Sequence, residues 1–284
     1  MRVAALAAAL LLGWWLRTLD PPGLAAAVPW PWATATLTVY HADGARLFPV
    51  SRRVPADADL ARAAVEALLA GPPAGTSLTS PLPTGLALEG IRVTDGVAHV
   101  ALVGGSAEAL REAPLGVPAI VATLTRVPGV AGVVLTVDGM TVTDAVRRVP
   151  LLYYPTARGL VALPTSAPDA RAALEAFLTG PSSPDLTALP PDARLLDADF
   201  DETAGLLAVR FAYTPAVRTL ALEQPGQMRL LLLGLIATLT GYPEVRAVQL
   251  DFGGQSRLGL GECSDLLRTP QPRPALLNDE RLVR

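Results

Sequence analysis

The chain contains one unit twice, and that duplication limits the folds open to it more than any other feature. Arg62-Ala-Ala-Val-Glu-Ala-Leu-Leu-Ala-Gly71-Pro72 returns as Arg171-Ala-Ala-Leu-Glu-Ala-Phe-Leu-Thr-Gly180-Pro181 at an offset of 109 residues. Val121-Ala-Thr-Leu-Thr125 returns as Ile236-Ala-Thr-Leu-Thr240 at an offset of 115. The second offset also pairs Pro128 with Pro243, Val130 with Val245, Val133 with Val248 and Leu135 with Leu250. At ~150 residues per domain, a chain of 284 residues holds about two domains. Each copy is therefore a domain able to bury its own core, larger than the ~20–50-residue units of solenoids.

The local pattern is the same in both copies. Strand-like segments open each one: Thr36–His41 and Arg46–Val50 around Asp43-Gly44, then Leu151–Tyr154 and Leu160–Leu163 around Arg158-Gly159. A helix follows and stops at Gly71-Pro72 or Gly180-Pro181, where Gly supplies the left-handed cap and Pro forbids continuation. In the second copy Ser166-x-x-Asp169 reads as a capping box with Pro168 in the first turn. Leu174, Phe177 and Leu178 recur at i, i+3, i+4 and predict its buried face. Next comes a hairpin, through Thr94-Asp95-Gly96 in one copy and Asp201–Gly205 in the other. A second helix is predicted over Leu115–Arg126 and Gly226–Thr240, and a last strand over Val130–Val137 and Val245–Phe252. The apolar run Leu230–Ile236 is too short to span a bilayer and reads as a buried helix. The order β-α-β-β-α-β, with an extra strand near the start, puts helices on one face of a mainly antiparallel sheet, an α+β fold.

The duplicated region divides into residues 37–140 and 141–254. Before it, Arg2 leads into an apolar run from Val3 to Leu16, and Ala25-Ala26-Ala27 offers a small-residue cleavage site. Residues 1–27 read as a secretory signal peptide or an uncleaved membrane anchor, and either places the body outside the cytoplasm. Trp14 and Trp15 suit a headgroup interface. Residues 28–36, with Pro29 and Pro31, read as an extended linker. After Gly254 the pattern stops, Pro270, Pro272 and Pro274 alternate, and residues 255–284 read as a flexible tail.

Composition removes several chemistries. All 23 basic residues are Arg, so P-loop nucleotide binding, protein-kinase catalysis and pyridoxal phosphate Schiff-base chemistry lack their Lys. Two His and one Cys leave almost no room for a Cys/His zinc site. A net charge of −3 provides no field to recruit nucleic acid. His99 falls on the strand face opposite Ala98, Val100 and Leu102, a surface position, and His41 reads likewise. Asp197, Asp199 and Asp201 alternate with Ala198 and Phe200 and read as a solvated edge before a turn; weak calcium binding is the competing reading. Gly104-Gly105-Ser106 and the surroundings of Ser256 lack the G-x-S-x-G spacing of a nucleophile elbow. Arg52-Arg53 and Arg147-Arg148 read as solvated surface, and Cys263 as a small buried hydrophobe or a free thiol. No residue is assigned as catalytic, cofactor-binding or metal-binding.

Taken in order, these segments resemble the GerMN domain family. The likeness rests on Ala67-Leu-Leu-Ala-Gly-Pro72, Leu78-Thr-Ser-Pro81 to Pro83, the Gly90–Val97 hairpin and Ala122-Thr-Leu-Thr125. In the second copy it rests on Ala176-Phe-Leu-Thr-Gly-Pro181, Leu186 to Pro191 and Ala237-Thr-Leu-Thr240. No Cys lies near residues 20–30, so the lipid-attachment Cys of the family's lipoprotein members is missing. The resemblance implies a tandem ring-building-like fold in a non-enzymatic, membrane-associated envelope protein of sporulation or spore germination. Its implied partners are envelope or sporulation-complex proteins carrying ring-building-type domains. Two alternatives stand beside it: a ligand-sensing module acting with a membrane sensor kinase, and a cell-wall hydrolase using the acidic pairs.

Overall fold

The computed structural model describes residues 34–253 and 260–283. The export segment, most of the linker and Ser256 lie outside these residues. By internal contact the described chain falls into two units. The smaller contains Thr34, Ala35 and Arg53–Ala58, where the Ala58 N–H donates to the Pro55 carbonyl at 3.2 Å. The rest of the described chain forms the main unit.

The chain forms an α+β arrangement of three four-stranded sheets, which lie in the main unit except for the ends of two strands, Thr34–Ala35 and Arg53–Pro55. Each copy opens with a hairpin: β1 (Thr34–Asp43) and β2 (Arg46–Pro55) in the first, β7 (Leu151–Thr156) and β8 (Gly159–Pro164) in the second. Strand β1 thus begins inside the stretch expected as linker. The two hairpins join in one sheet, ordered β1-β2-β8-β7, with β2 and β8 antiparallel at Leu47 and Ala162. So the copies are fused through their opening strands, where the sequence led us to expect two self-contained cores.

Each copy then builds a sheet of its own. In the first, β3 (Ala87–Thr94) and β4 (Val97–Val103) are antiparallel, β5 (Gly132–Val137) runs parallel to β4, and β6 (Met140–Val146) closes the edge. Asp95-Gly96 and Asp138-Gly139 all take positive φ, between 48° and 76°, as two-residue hairpin turns require. The second turn leads into β6, a strand that the sequence pattern does not predict. In the second copy β9 (Leu195–Asp201) and β10 (Leu206–Phe211) are antiparallel, and β11 (Ala247–Phe252) is parallel to β10.

The first helices are α1 (Leu60–Ala70) and α4 (Ala170–Thr179). Their N-caps are Asp59 and Asp169, whose carboxylates accept from the N–H groups of Arg62 and Ala172 at 3.0 and 2.8 Å. The expected cap at Ser166 is therefore displaced by three residues. Pro168 disfavours helical backbone at Ala167, so the helix starts only after the proline. Gly71 and Gly180 end these helices at φ 86° and 83°. Leu174 and Phe177 are 1% exposed, while Leu178 is half-buried at the rim of the helix face.

Two short helices escaped the sequence reading: α2 (Ala107–Glu112) and α5 (Pro215–Glu223). Ser106 and Thr214 cap them, and Pro215 sits in the first turn of α5, where its missing N–H costs nothing. The helices α3 (Gly116–Leu124) and α6 (Pro225–Leu239) are buried along most of their length. Helix α6 packs on β7 of the central sheet and also touches β11, α4 and α5, so it shows no polar stripe. This accounts for the run Leu230–Ile236; no helix among the described residues is long and apolar enough to cross a membrane. The approach is closest at Gly234, where a Cβ would stand 2.4 Å from the Tyr153 carbonyl oxygen.

Both threonines of the repeated Ala-Thr-Leu-Thr motif have a physical role. Thr123 and Thr238 accept, through Oγ1, the N–H groups of Tyr40 and Tyr153 at 3.1 and 3.0 Å, tying each hairpin to α3 or α6 of its own copy. Thr125 and Thr240 donate back to the carbonyls of Val121 and Ile236 at 2.8 and 2.6 Å and finish those helices.

The tail is corrected by the structure. Residues 260–283 are built into the fold. Leu260 and Leu267 are fully buried, and Cys263 is buried with its Sγ donating to the Pro225 carbonyl at 3.6 Å. A short helix, α7 (Asp265–Arg268), leads to β12 (Gln271–Pro272), which pairs antiparallel with β11 and gives the second sheet its fourth strand. Asn278 then enters the gap between β2 and β8. Its Oδ1 accepts from the Leu160 N–H at 2.8 Å; its Nδ2 donates to the carbonyls of Pro49 and Leu160 at 2.7 and 2.8 Å. The Asn278 carbonyl accepts from the Ser51 N–H at 2.7 Å.

Candidate functional site

The equivalent hairpins and helices bring equivalent residues together. Tyr40 and Tyr153, fully buried at matching places on β1 and β7, face each other with hydroxyl oxygens 2.6 Å apart. Burial pushes the Tyr153 phenol well above its ordinary value, and the neighbouring Tyr40 adds to this. The Tyr153 phenol is therefore neutral, and one hydroxyl of the pair donates to the other.

Beside this pair lies a cavity of about 500 Å³. The ends of α3 and α6 supply Thr125, Thr240 and Tyr242; the connection between copies supplies Arg147 to Leu151; the C-terminal segment supplies Arg273. Its walls are otherwise apolar, with Val130, Val149, Pro150 and Pro243. The Arg148 guanidinium lies over the Tyr242 ring, 4.3 Å from its centroid, and donates to the Gly241 carbonyl at 2.8 Å. The Tyr242 hydroxyl donates to the Ala167 carbonyl at 2.9 Å. The surface reading of Arg148 is thus corrected: only Arg147 of that pair is exposed. Buried guanidinium nitrogens without a hydrogen-bond partner belong to Arg126, Arg148 and Arg273. Burial lowers the basicity of Arg273, and the like charge of Arg126 lowers it further; the Tyr153 hydroxyl opposes this.

The residues singled out in the sequence do not gather here. His99 is exposed on β4, as alternation predicts. His41 is 1% exposed, which corrects its surface reading; β1 is covered on both faces at this point. Burial and the nearby Arg52 charge lower its pKa from 6.5 to about 4. The unfolded chain therefore binds the proton first as pH falls, so folded stability is full above pH ~6.5 and declines towards pH ~4 by roughly 3 kcal/mol. Urea midpoints measured across that range should fall in the wild type and fall less in His41→Phe; identical slopes would contradict the assignment.

Asp197, Asp199 and Asp201 lie exposed along β9. Asp197 stands 3.9 Å from Arg210, which also pairs with Asp251 at 3.2 Å. Asp201 accepts from the N–H groups of Thr203 and Ala204 at 2.9 and 3.0 Å and shapes the β9–β10 turn. Among the described residues no three His, Cys, Asp or Glu side chains meet in a way that could hold a metal ion. Ser106 is a helix cap, and Arg52 stands 3.5 Å from Glu280.

Sequence reasoning missed the tyrosine pair, Arg273 and Asn278. A tyrosine in the opening strand of both copies was the one visible signal for the pair. Nothing marks Arg273 in a proline-rich stretch, and a lone Asn has no pattern to join.

Three comparisons with known proteins bear on this arrangement. The family described as "Germane: Sporulation and spore germination" matches residues 38–143 and 151–257, most of the chain. Among solved structures, the chain is similar to the tandem GerMN domains of the sporulation protein GerM from Bacillus subtilis. That match has a TM-score of 0.64 at 17% identity and covers 87% of this chain and 99% of that one, which shows the shared fold. A putative lipoprotein from Clostridium perfringens matches at 21% identity over 42% of this chain and 83% of its own, with a TM-score of 0.26. No curated protein matches the chain.

Proposed function

The chain belongs to the Germane family of sporulation and spore germination, and from that membership we propose a non-enzymatic assembly protein acting outside the cytoplasm. Its place is the cell envelope, at the outer face of the cytoplasmic membrane or, in a sporulating cell, the space between the two membranes. The partners proposed are envelope proteins with domains of ring-building type. The Arg2-to-Ala27 segment, read as a signal or anchor, supports the location.

The observation that carries this reading is the central sheet. Two copies of the unit associate there strand to strand, β2 with β8. Strands β3 and β9 end the other two sheets and leave further edges of the same kind. Each edge presents an exposed apolar side chain, Val93 at 43% and Leu196 at 51%. Unpaired edges are natural sites for adding a strand from another protein.

Deleting the gene in the source organism should reduce the yield of viable spores or block germination. Normal spore formation and germination in the deletion strain would defeat the reading. The hydrolase alternative predicts that the purified protein releases fragments from peptidoglycan and that Asp199→Ala abolishes this with the fold intact. We expect no release.

A further inference from the structure

We propose that the cavity beside the Tyr40–Tyr153 pair binds a small organic anion, its phosphate or carboxylate head held by Arg148 and Arg273. Four observations carry this. Buried nitrogens of Arg126, Arg148 and Arg273 have donors with no acceptor, and donors in that state are rare in a finished fold. Arg126 and Arg273 bear like charges close enough to act on each other. No ion pair within 4.0 Å joins any of the three to a carboxylate among the described residues; Glu244 acts on Arg148 only from farther away. The Tyr40–Tyr153 hydroxyl pair has a proton to offer at the same wall. A bound oxyanion would satisfy the free donors of Arg148 and Arg273, which line the cavity, and offset the charge that Arg126 places on Arg273.

The cavity also says something about the rest of the ligand. At about 500 Å³ it falls in the range of small-molecule sites and exceeds a bare ion. Its apolar wall, with Val130 and Pro150, suits a ring or short aliphatic body attached to the anion. Arg273 reaches the cavity from the C-terminal segment and Arg148 from the connection between copies. An occupant would therefore bridge parts of the chain that only the finished fold brings together.

The test is thermal unfolding of the full chain, titrated with inorganic phosphate, phenyl phosphate, benzoate and sodium chloride at matched ionic strength. We expect a saturable rise in Tm with phenyl phosphate or benzoate at lower concentration than with inorganic phosphate, and none with chloride. Phenyl phosphate acting below benzoate assigns a phosphate head, and the reverse order a carboxylate head. Arg273→Met and Arg148→Met should each weaken the response at least tenfold. If either variant fails to fold, Ala131→Trp, at an exposed position on the cavity rim, should block the titration with the arginines in place. No saturable shift with any of the three anions would overturn the proposal, and so would a response undiminished in all the variants that fold.

Discussion

Replacing Asn278 with alanine should destabilise the protein by roughly 3–6 kcal/mol, although the residue lies in the proline-spaced C-terminal segment. The side chain fills the place that a strand would take between β2 and β8. Those strands pair directly only at Leu47 and Ala162. Beyond that point the Leu160 N–H, the Leu160 carbonyl and the Pro49 carbonyl are all satisfied by Asn278 at 2.7–2.8 Å. Alanine leaves three buried polar groups unpaired, at about 1–3 kcal/mol each. Urea denaturation of wild type and variant measures the difference; a loss below ~1 kcal/mol would mean that water replaces the amide, and that the tail does not lock the sheet. The neighbouring Gly159 fits the same account, since a Cβ there would lie 2.4 Å from the Asn278 Oδ1.

Phe177→Ala should cost about 3–5 kcal/mol. The ring is 1% exposed and stacks on Tyr154, with centroids 4.7 Å apart and planes 9° from parallel. Tyr154 comes from β7 and donates its hydroxyl to the Phe177 carbonyl at 2.9 Å, so one substitution disturbs both the ring pair and the helix end that receives it. Leu178→Ala should cost less, below ~2 kcal/mol, because that side chain is half-buried. Equal losses at the two positions, measured by the same denaturation, would mean that the helix turns its face differently.

Much of this was legible in the sequence because it is local. Gly71 and Gly180 marked helix ends through a left-handed conformation that other residues avoid, and Asp95-Gly96 marked a hairpin for the same reason. Periodicity placed Leu174 and Phe177 inward. The order of elements within each copy followed, and with it the α+β class. What the sequence withheld is long-range. Nothing in Leu47 or Ala162 says that they pair across the copies. The proline-spaced segment around Pro272 looked like a tail because a two-residue edge strand has no period to detect. His41 looked exposed because alternation predicts one buried face, whereas β1 is buried on both around it.

The candidate site was less legible still. Arg148 sits in a pair that reads as surface charge, and its packing on Tyr242 joins residues 94 positions apart in the sequence. The cavity draws on five separate stretches of the chain, from Tyr40 to Arg273. Only the repeated Thr of the Ala-Thr-Leu-Thr motif hinted at it, through the tyrosine N–H groups that Thr123 and Thr238 hold.

The proposed function has this protein joining strand edges with other envelope proteins. Photo-cross-linking in sporulating cells of the source organism tests it most directly, with the reactive group placed at Val93 on β3, at Leu196 on β9 and at exposed Glu175 on α4. Edge pairing gives adducts to a second envelope protein from Val93 or Leu196 and none from Glu175. Adducts from Glu175 alone, or from none of the three, would contradict it.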